Sequence, residues 1–115
     1  MIKRKAGYTV DHVENMRGGE GIVIVEHLLT PEEFYNKGRL FAKMTLKPGA
    51  SIGKHLHEGE MESYYIIGGK GEYMDGTDPV TLLPGDTALT KSGEEHSIKS
   101  IGDVPLELIA LILYK

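Results

Sequence analysis

The chain contains no cysteine, which excludes disulfide bonds, thiolate metal ligands and a cysteine nucleophile. It also lacks an excess of positive charge. The 13 Lys and Arg residues stand against 17 Asp and Glu, a formal net charge of −4, so a nucleic-acid partner is not expected. The short basic run Lys3-Arg4-Lys5 is read as a solvated terminus. No apolar run approaches the about 18 residues of a membrane span, and Met1-Ile2-Lys3 leads into no signal-type apolar stretch. No membrane segment is expected, and the cytoplasm is the expected address. Proline is modest at 5 residues and no repeat is visible, which argues against low complexity.

What is present fits one globular domain over residues 1–115. Hydrophobic residues make up 40% and charged residues 26%, and the length suffices for a single core. Glycine is the outlier, with 15 residues, nearly twice the usual share of about 7%. These glycines recur in turn signals: Gly18-Gly19, Lys37-Gly38, Pro48-Gly49, Gly68-Gly69, Asp75-Gly76, Pro84-Gly85, Gly93 and Gly102-Asp103. Between them lie short β-prone runs at 22–25, 40–46, 64–67, 80–83, 87–89 and 106–113. Many short strands with Gly/Pro punctuation predict an all-β sandwich or barrel. Residues 30–36 alone look helical: Thr30 can cap, Pro31 suits the first helical position and Glu33 completes a capping box. At most one short helix or turn is expected there, within an N-terminal region of strands and turn over 1–37.

Alternation assigns faces. Over 40–46, Leu40, Ala42, Met44 and Leu46 share one face, a candidate core face, and Arg39, Phe41, Lys43 and Thr45 the other. The run 106–113 is apolar on both faces, Leu106, Leu108, Ala110 and Ile112 alternating with Glu107, Ile109, Leu111 and Leu113. Such a strand is expected to be covered on both sides, with a second copy of the chain as one cover, so a homodimer is expected.

One constellation carries chemistry. His55 and His57, two apart on an extended backbone, project to the same side; Glu62 follows, and His96 comes after the Pro84-Gly85-Asp86 turn. Three imidazoles and one carboxylate make a ligand set for a divalent transition metal: manganese, iron, nickel, zinc or copper. Binding needs neutral imidazoles and an ionised carboxylate, so affinity is expected to fall as pH drops through the histidine range.

At these residues a resemblance enters. Gly49-x5-His55-x-His57-x4-Glu62-x6-Gly69 resembles the first motif of the cupins, and Gly85-x5-Lys91-x-Gly93-x2-His96-x3-Ser100 resembles the second. Lys91 stands where the family usually has Pro and Ser100 where it usually has Asn, departures that bear on loop geometry, since neither position is a ligand in the family. The two motifs span 49–69 and 85–100, about half the chain. The resemblance implies a double-stranded β-helix, a jelly-roll-like antiparallel barrel with a metal near its mouth, held by His55, His57, Glu62 and His96. Four protein ligands around a metal that prefers six leave two adjacent positions for water, substrate or dioxygen.

The metal-containing members of that family include dioxygenases, decarboxylases, isomerases and lyases alongside sensory and binding domains. The expectation is therefore a metal-dependent enzyme acting on a small polar or anionic metabolite, such as a hydroxy acid, keto acid, enediol or sugar derivative. The alternative is a non-catalytic small-ligand-binding or sensory module. Tyr64 and Glu60 are the candidate catalytic residues. Tyr64 either donates a phenolic hydrogen bond to a bound ligand or simply fills the barrel. Glu60, like Glu58, either acts as a base or ligand-supporting carboxylate or is a solvated loop residue. Arg17, Arg39 and Lys43 are candidates for a substrate carboxylate against a default of surface charge. Met44 and Met61 are expected to pack, and His12 and His27 to be ordinary histidines.

Overall fold

The structure, a computed structural model, describes residues 1–76 and 78–115. Ten strands make up most of it: β1 (Thr9–Glu14), β2 (Ile22–Leu29), β3 (Gly38–Leu46), β4 (Ser51–Leu56), β5 (Glu60–Gly68), β6 (Gly71–Met74), β7 (Pro79–Leu82), β8 (Thr87–Thr90), β9 (Glu95–Ser100) and β10 (Leu106–Tyr114). They form a six-stranded sheet in the order β1-β2-β3-β10-β5-β8 and a four-stranded sheet in the order β4-β9-β6-β7. All the pairings are antiparallel. The all-β, double-stranded β-helix architecture expected from the sequence is the one observed.

Every run expected to be β-prone lies in a strand except for Leu83, one residue past β7, but β1, β4, β6 and β9 carry no such signal. The reason is physical. On β4 and β9 inward positions fall to His55 and His96 rather than to aliphatic residues, and β1 is an edge strand with almost every residue exposed. Hydrophobic alternation therefore fails where the chemistry sits.

Among the described residues there is no α-helix, only the 3-10 turns Lys5–Gly7, Met16–Gly18 and Pro31–Phe34. The last lies inside the segment read as helical. Thr30 N–H donates to the Glu33 carboxylate at 2.8 Å, and the expected capping box is present. The turn goes no further because Tyr35 and Asn36 adopt left-handed φ of 59° and 54°.

The core forms where the two sheets face each other. Ala42, Met44 and Leu46 of β3, Leu106, Leu108 and Ala110 of β10, and Tyr64 and Ile66 of β5 meet Ile52, Tyr73 and Ile98 of the smaller sheet. Fully burying a leucine such as Leu106 or Leu108 contributes about 1.5–3 kcal/mol. The even-numbered face of β3 is thus the core face. The outward residues Ile109, Leu111 and Leu113 of β10 remain partly exposed. Gly69 joins β5 to β6 with φ +76°, and a Cβ there would strike the Pro105 carbonyl, so only glycine fits.

Candidate metal centre

His55 and His96 are direct cross-strand partners on β4 and β9. A register shift between Ile52 and His55 interrupts that ladder, and such an irregularity re-aims the side chains that follow. His57 lies one residue past β4. Its N–H donates to the Glu94 carbonyl at 3.1 Å, and its carbonyl accepts from Gly93 N–H at 2.6 Å. The second glycine-rich block thereby pins a residue of the first. Glu62, the third residue of β5, faces inward beside Tyr64 and Ile66.

The donor atoms converge. His57 Nε2 and His96 Nε2 are 3.0 Å apart, as are His96 Nε2 and His55 Nε2. Glu62 Oε1 stands 3.0 Å from the Nε2 atoms of His57 and His96 and 3.8 Å from that of His55. Donors about 2.1 Å from one centre and at right angles to each other stand about 3.0 Å apart, so this spacing fits a first-row divalent ion. All four residues are buried or nearly so.

Each imidazole is oriented from behind. His55 Nδ1–H donates to the Gly53 carbonyl at 2.7 Å. His57 Nδ1–H donates to Glu60 Oε2 at 2.6 Å, and Arg39 grips that carboxylate with two hydrogen bonds of 2.8 Å, from Nε to Oε1 and from Nη2 to Oε2. His96 Nδ1 lies 2.7 Å from Thr90 Oγ1 and 3.0 Å from Tyr73 Oη, and the two hydroxyls are 2.7 Å apart. Partners at Nδ1 leave Nε2 as the free lone pair of a neutral ring, the tautomer that a metal requires.

The electrostatics agree. Burial raises the Glu62 pKa, but its contacts with the three histidines outweigh that and hold its carboxyl well below the usual range. The Glu62 carboxylate, opposed by burial and aided by Glu60, raises His57 above an ordinary imidazole, whereas burial lowers His96. Arg39 first, and then His57, keep Glu60 ionised. Burial, together with the Glu62 carboxylate, pushes the Tyr64 phenol well above its ordinary value.

A cavity of about 160 Å³ opens onto the cluster, room for about five waters. Val13, Val25, Leu40, Met44, Ile52 and Ile112 make its apolar walls, and Arg17, His27, Asp11 and Tyr64 add polar groups. Tyr64 is at once barrel-filling and cavity-lining, its ring stacked on that of His96 with centroids 5.1 Å apart.

The other candidates separate. Glu58 is exposed, whereas Glu60 is tied between Arg39 and His57. Lys43 pairs with Glu107 at 2.8 Å, Met44 is buried in the core and Met61 is half-buried. His12 is exposed. His27, read as ordinary, lines the cavity with its Nε2 2.8 Å from Asp11 Oδ2. Sequence reasoning missed Gly53, Tyr73 and Thr90 because nothing local marks a hydroxyl or a carbonyl as a histidine's partner.

Comparison with known proteins places these features in a family. The cupin domain family matches residues 42–112. A Thermotoga maritima protein described as an oxalate-binding protein is 47% identical over 113 residues, which cover 98% of this chain and 93% of that one. The crystal structure of a predicted oxalate decarboxylase from Thermotoga maritima superposes with a TM-score of 0.95 at 46% identity, covering 100% of both chains. A cupin-2 domain from Rhodospirillum rubrum shares the fold, with a TM-score of 0.80 at 16% identity over 100% of this chain and 75% of that one.

Proposed function

The chain belongs to the cupin domain family, and from that premise we propose that it binds a divalent transition metal and, on it, a small chelating anion of the oxalate kind. His55, His57, Glu62 and His96 are the metal-holding residues. The observation that carries this reading is the shared orientation of the three imidazoles, each with a protein partner at Nδ1 and its Nε2 turned toward the common centre. When bound, the metal would supply positive charge that attracts and polarises carboxylate oxygens. The name of the 47% identical relative supports oxalate as the ligand class, and a cavity with room for only about five waters supports a ligand of few atoms.

The chain's own groups divide the remaining work. Arg39 and Glu60 hold the His57 ring, so Glu60 acts by positioning. The Gly53 carbonyl and the Thr90–Tyr73 hydroxyl pair do the same for His55 and His96. The aliphatic walls exclude water, which strengthens every charge interaction inside.

Isothermal titration with oxalate tests the reading directly. Metal-loaded protein takes up one oxalate per chain, and protein stripped of metal takes up none. Equal binding by the two forms would contradict it.

A second reading, turnover of the bound anion, is favoured by the Tyr64 phenol, which lines the cavity and keeps its proton throughout the physiological range. Cleaving the carbon–carbon bond of oxalate with uptake of one proton gives formate and carbon dioxide, and in this reading the Tyr64 hydroxyl delivers that proton. Formate release by the metal-loaded protein, lost in Tyr64→Phe while oxalate still binds, is the expected signature. Binding with no formate would leave a binding protein.

The same proposal includes a homodimer. Phe41, Tyr65, Ile109, Leu111 and Leu113 form a partly exposed apolar stripe across β3, β10 and β5, the kind of face that a second copy covers. Sedimentation at micromolar concentration is expected to give twice the chain mass of 12.7 kDa.

A further inference from the structure

The cavity that opens onto His55, His57 and Glu62 is lined by two arginines and one histidine outside the donor set, and two of these three are already committed. Arg39 spends its guanidinium on Glu60, and His27 is engaged by Asp11, which is 58% exposed at its side chain. Arg17 alone lines the cavity without an acidic partner among the described residues. It sits in the 3-10 turn Met16–Gly18, a strap between β1 and β2 that packs against β4.

Two features show that the strap is built to hold residue 17 in place. Arg17 adopts φ 54° and ψ 32°, a left-handed backbone that suits glycine or asparagine and is strained for arginine. Its carbonyl also lies so close to Gly53 that a Cβ there would strike it, just as a Cβ on Gly19 would strike the Ser51 carbonyl. Gly53 is the residue whose own carbonyl orients His55, so the strap and the donor strand are registered on one glycine.

We propose that Arg17 is the specificity-determining residue for charge, its guanidinium donating to a carboxylate oxygen of a small dianion held in the cavity. This rests on the small-anion reading above and assigns to it a residue outside the donor set. The strain fits: a stabler residue would serve the backbone better, but only a cation recruits the second negative charge.

The test compares wild type with Arg17→Gly and Arg17→Asn, both compatible with the left-handed backbone, and asparagine without glycine's added freedom. Each protein is loaded with one equivalent of manganese(II) and titrated with oxalate, and with acetate as a monoanion, at two sodium chloride concentrations. Both variants are expected to keep one manganese per chain and a Tm no lower than wild type. Their oxalate Kd rises about fivefold or more, their salt dependence flattens, and acetate binding changes less. Oxalate binding within twofold of wild type, with an unchanged salt dependence, would overturn the assignment. So would loss of manganese from both variants, which would make the strap structural. If wild-type protein binds manganese but no oxalate, the small-anion reading itself fails and takes this role with it. If wild type and variants bind alike, only the Arg17 assignment falls.

Discussion

Glu60→Gln is the sharpest single perturbation of the proposed centre because Glu60 touches no cavity ligand yet holds a donor residue in register. Its carboxylate is 12% exposed and accepts three hydrogen bonds, one of 2.6 Å from His57 Nδ1–H and two of 2.8 Å from Arg39. Glutamine is nearly isosteric, but its amide offers one acceptor and one donor to partners that only donate. One of them, His57 or Arg39, must then face a donor, and an unsatisfied group at this depth costs about 1–3 kcal/mol. Loss of a ligand's supporting partner typically weakens metal affinity by about 10–100-fold, equivalent to about 1.4–2.8 kcal/mol, and the two ranges agree. The assay is competition for zinc or manganese against a chromophoric chelator at pH 7.5, with thermal unfolding as a control for the fold. Arg39→Met acts through the same carboxylate, so the double variant should lose little more than Glu60→Gln alone. Metal affinity of Glu60→Gln within twofold of wild type would refute the reasoning.

Three further outcomes are expected. The Tm gap between metal-loaded and metal-free protein should widen as pH rises from about 5.5 to 8. The metal must displace the proton of His57, whose raised pKa keeps it protonated to higher pH than an ordinary imidazole of about 6.5, while Glu62 stays ionised throughout. A gap that is constant or shrinks with pH, read by differential scanning calorimetry, would speak against these residues as ligands. Gly53→Ala should cost about 1–3 kcal/mol in denaturant unfolding and weaken metal binding as well, because its Cβ would collide with the Arg17 carbonyl beside His55. A wild-type midpoint would show that the strap yields. Ser100 is 1% exposed and its Oγ finds no partner among the described residues, so Ser100→Ala should leave stability unchanged or raise it by up to about 1 kcal/mol; a clear loss would point to a partner for that hydroxyl.

The donor set was legible in the sequence because three of its four members lie within eight residues, on a strand, just past its end and on the next strand, where spacing translates directly into direction. His96 was legible through the glycine-rich block around it, and its cross-strand pairing with His55 is what brings the two blocks together. β3 and β10 were legible because one face of each is continuously apolar, and β5 was legible only over 64–67, past the inward-facing Glu62. β4 and β9 were not, since imidazole replaces aliphatic side chains at inward positions and erases the alternation. The supporting contacts stayed hidden for another reason. Arg39 and Glu60 are 21 residues apart, and Tyr73 and His96 are 23 apart, so only the register of the folded sheets joins them. His27 and Asp11, 16 apart on the β1–β2 hairpin, looked ordinary because nothing in either residue's neighbourhood marks the cavity they face.

Metal content is the most direct test of the central claim, measured by mass spectrometry on protein purified without chelator or added metal, alongside the His55→Ala, His57→Ala double variant. The account predicts about one transition-metal atom per wild-type chain, and almost none in a double variant that still folds. Wild-type protein that carries no metal and takes up none on reconstitution would contradict it, leaving His55, His57, Glu62 and His96 as a hydrogen-bonded acid–base cluster.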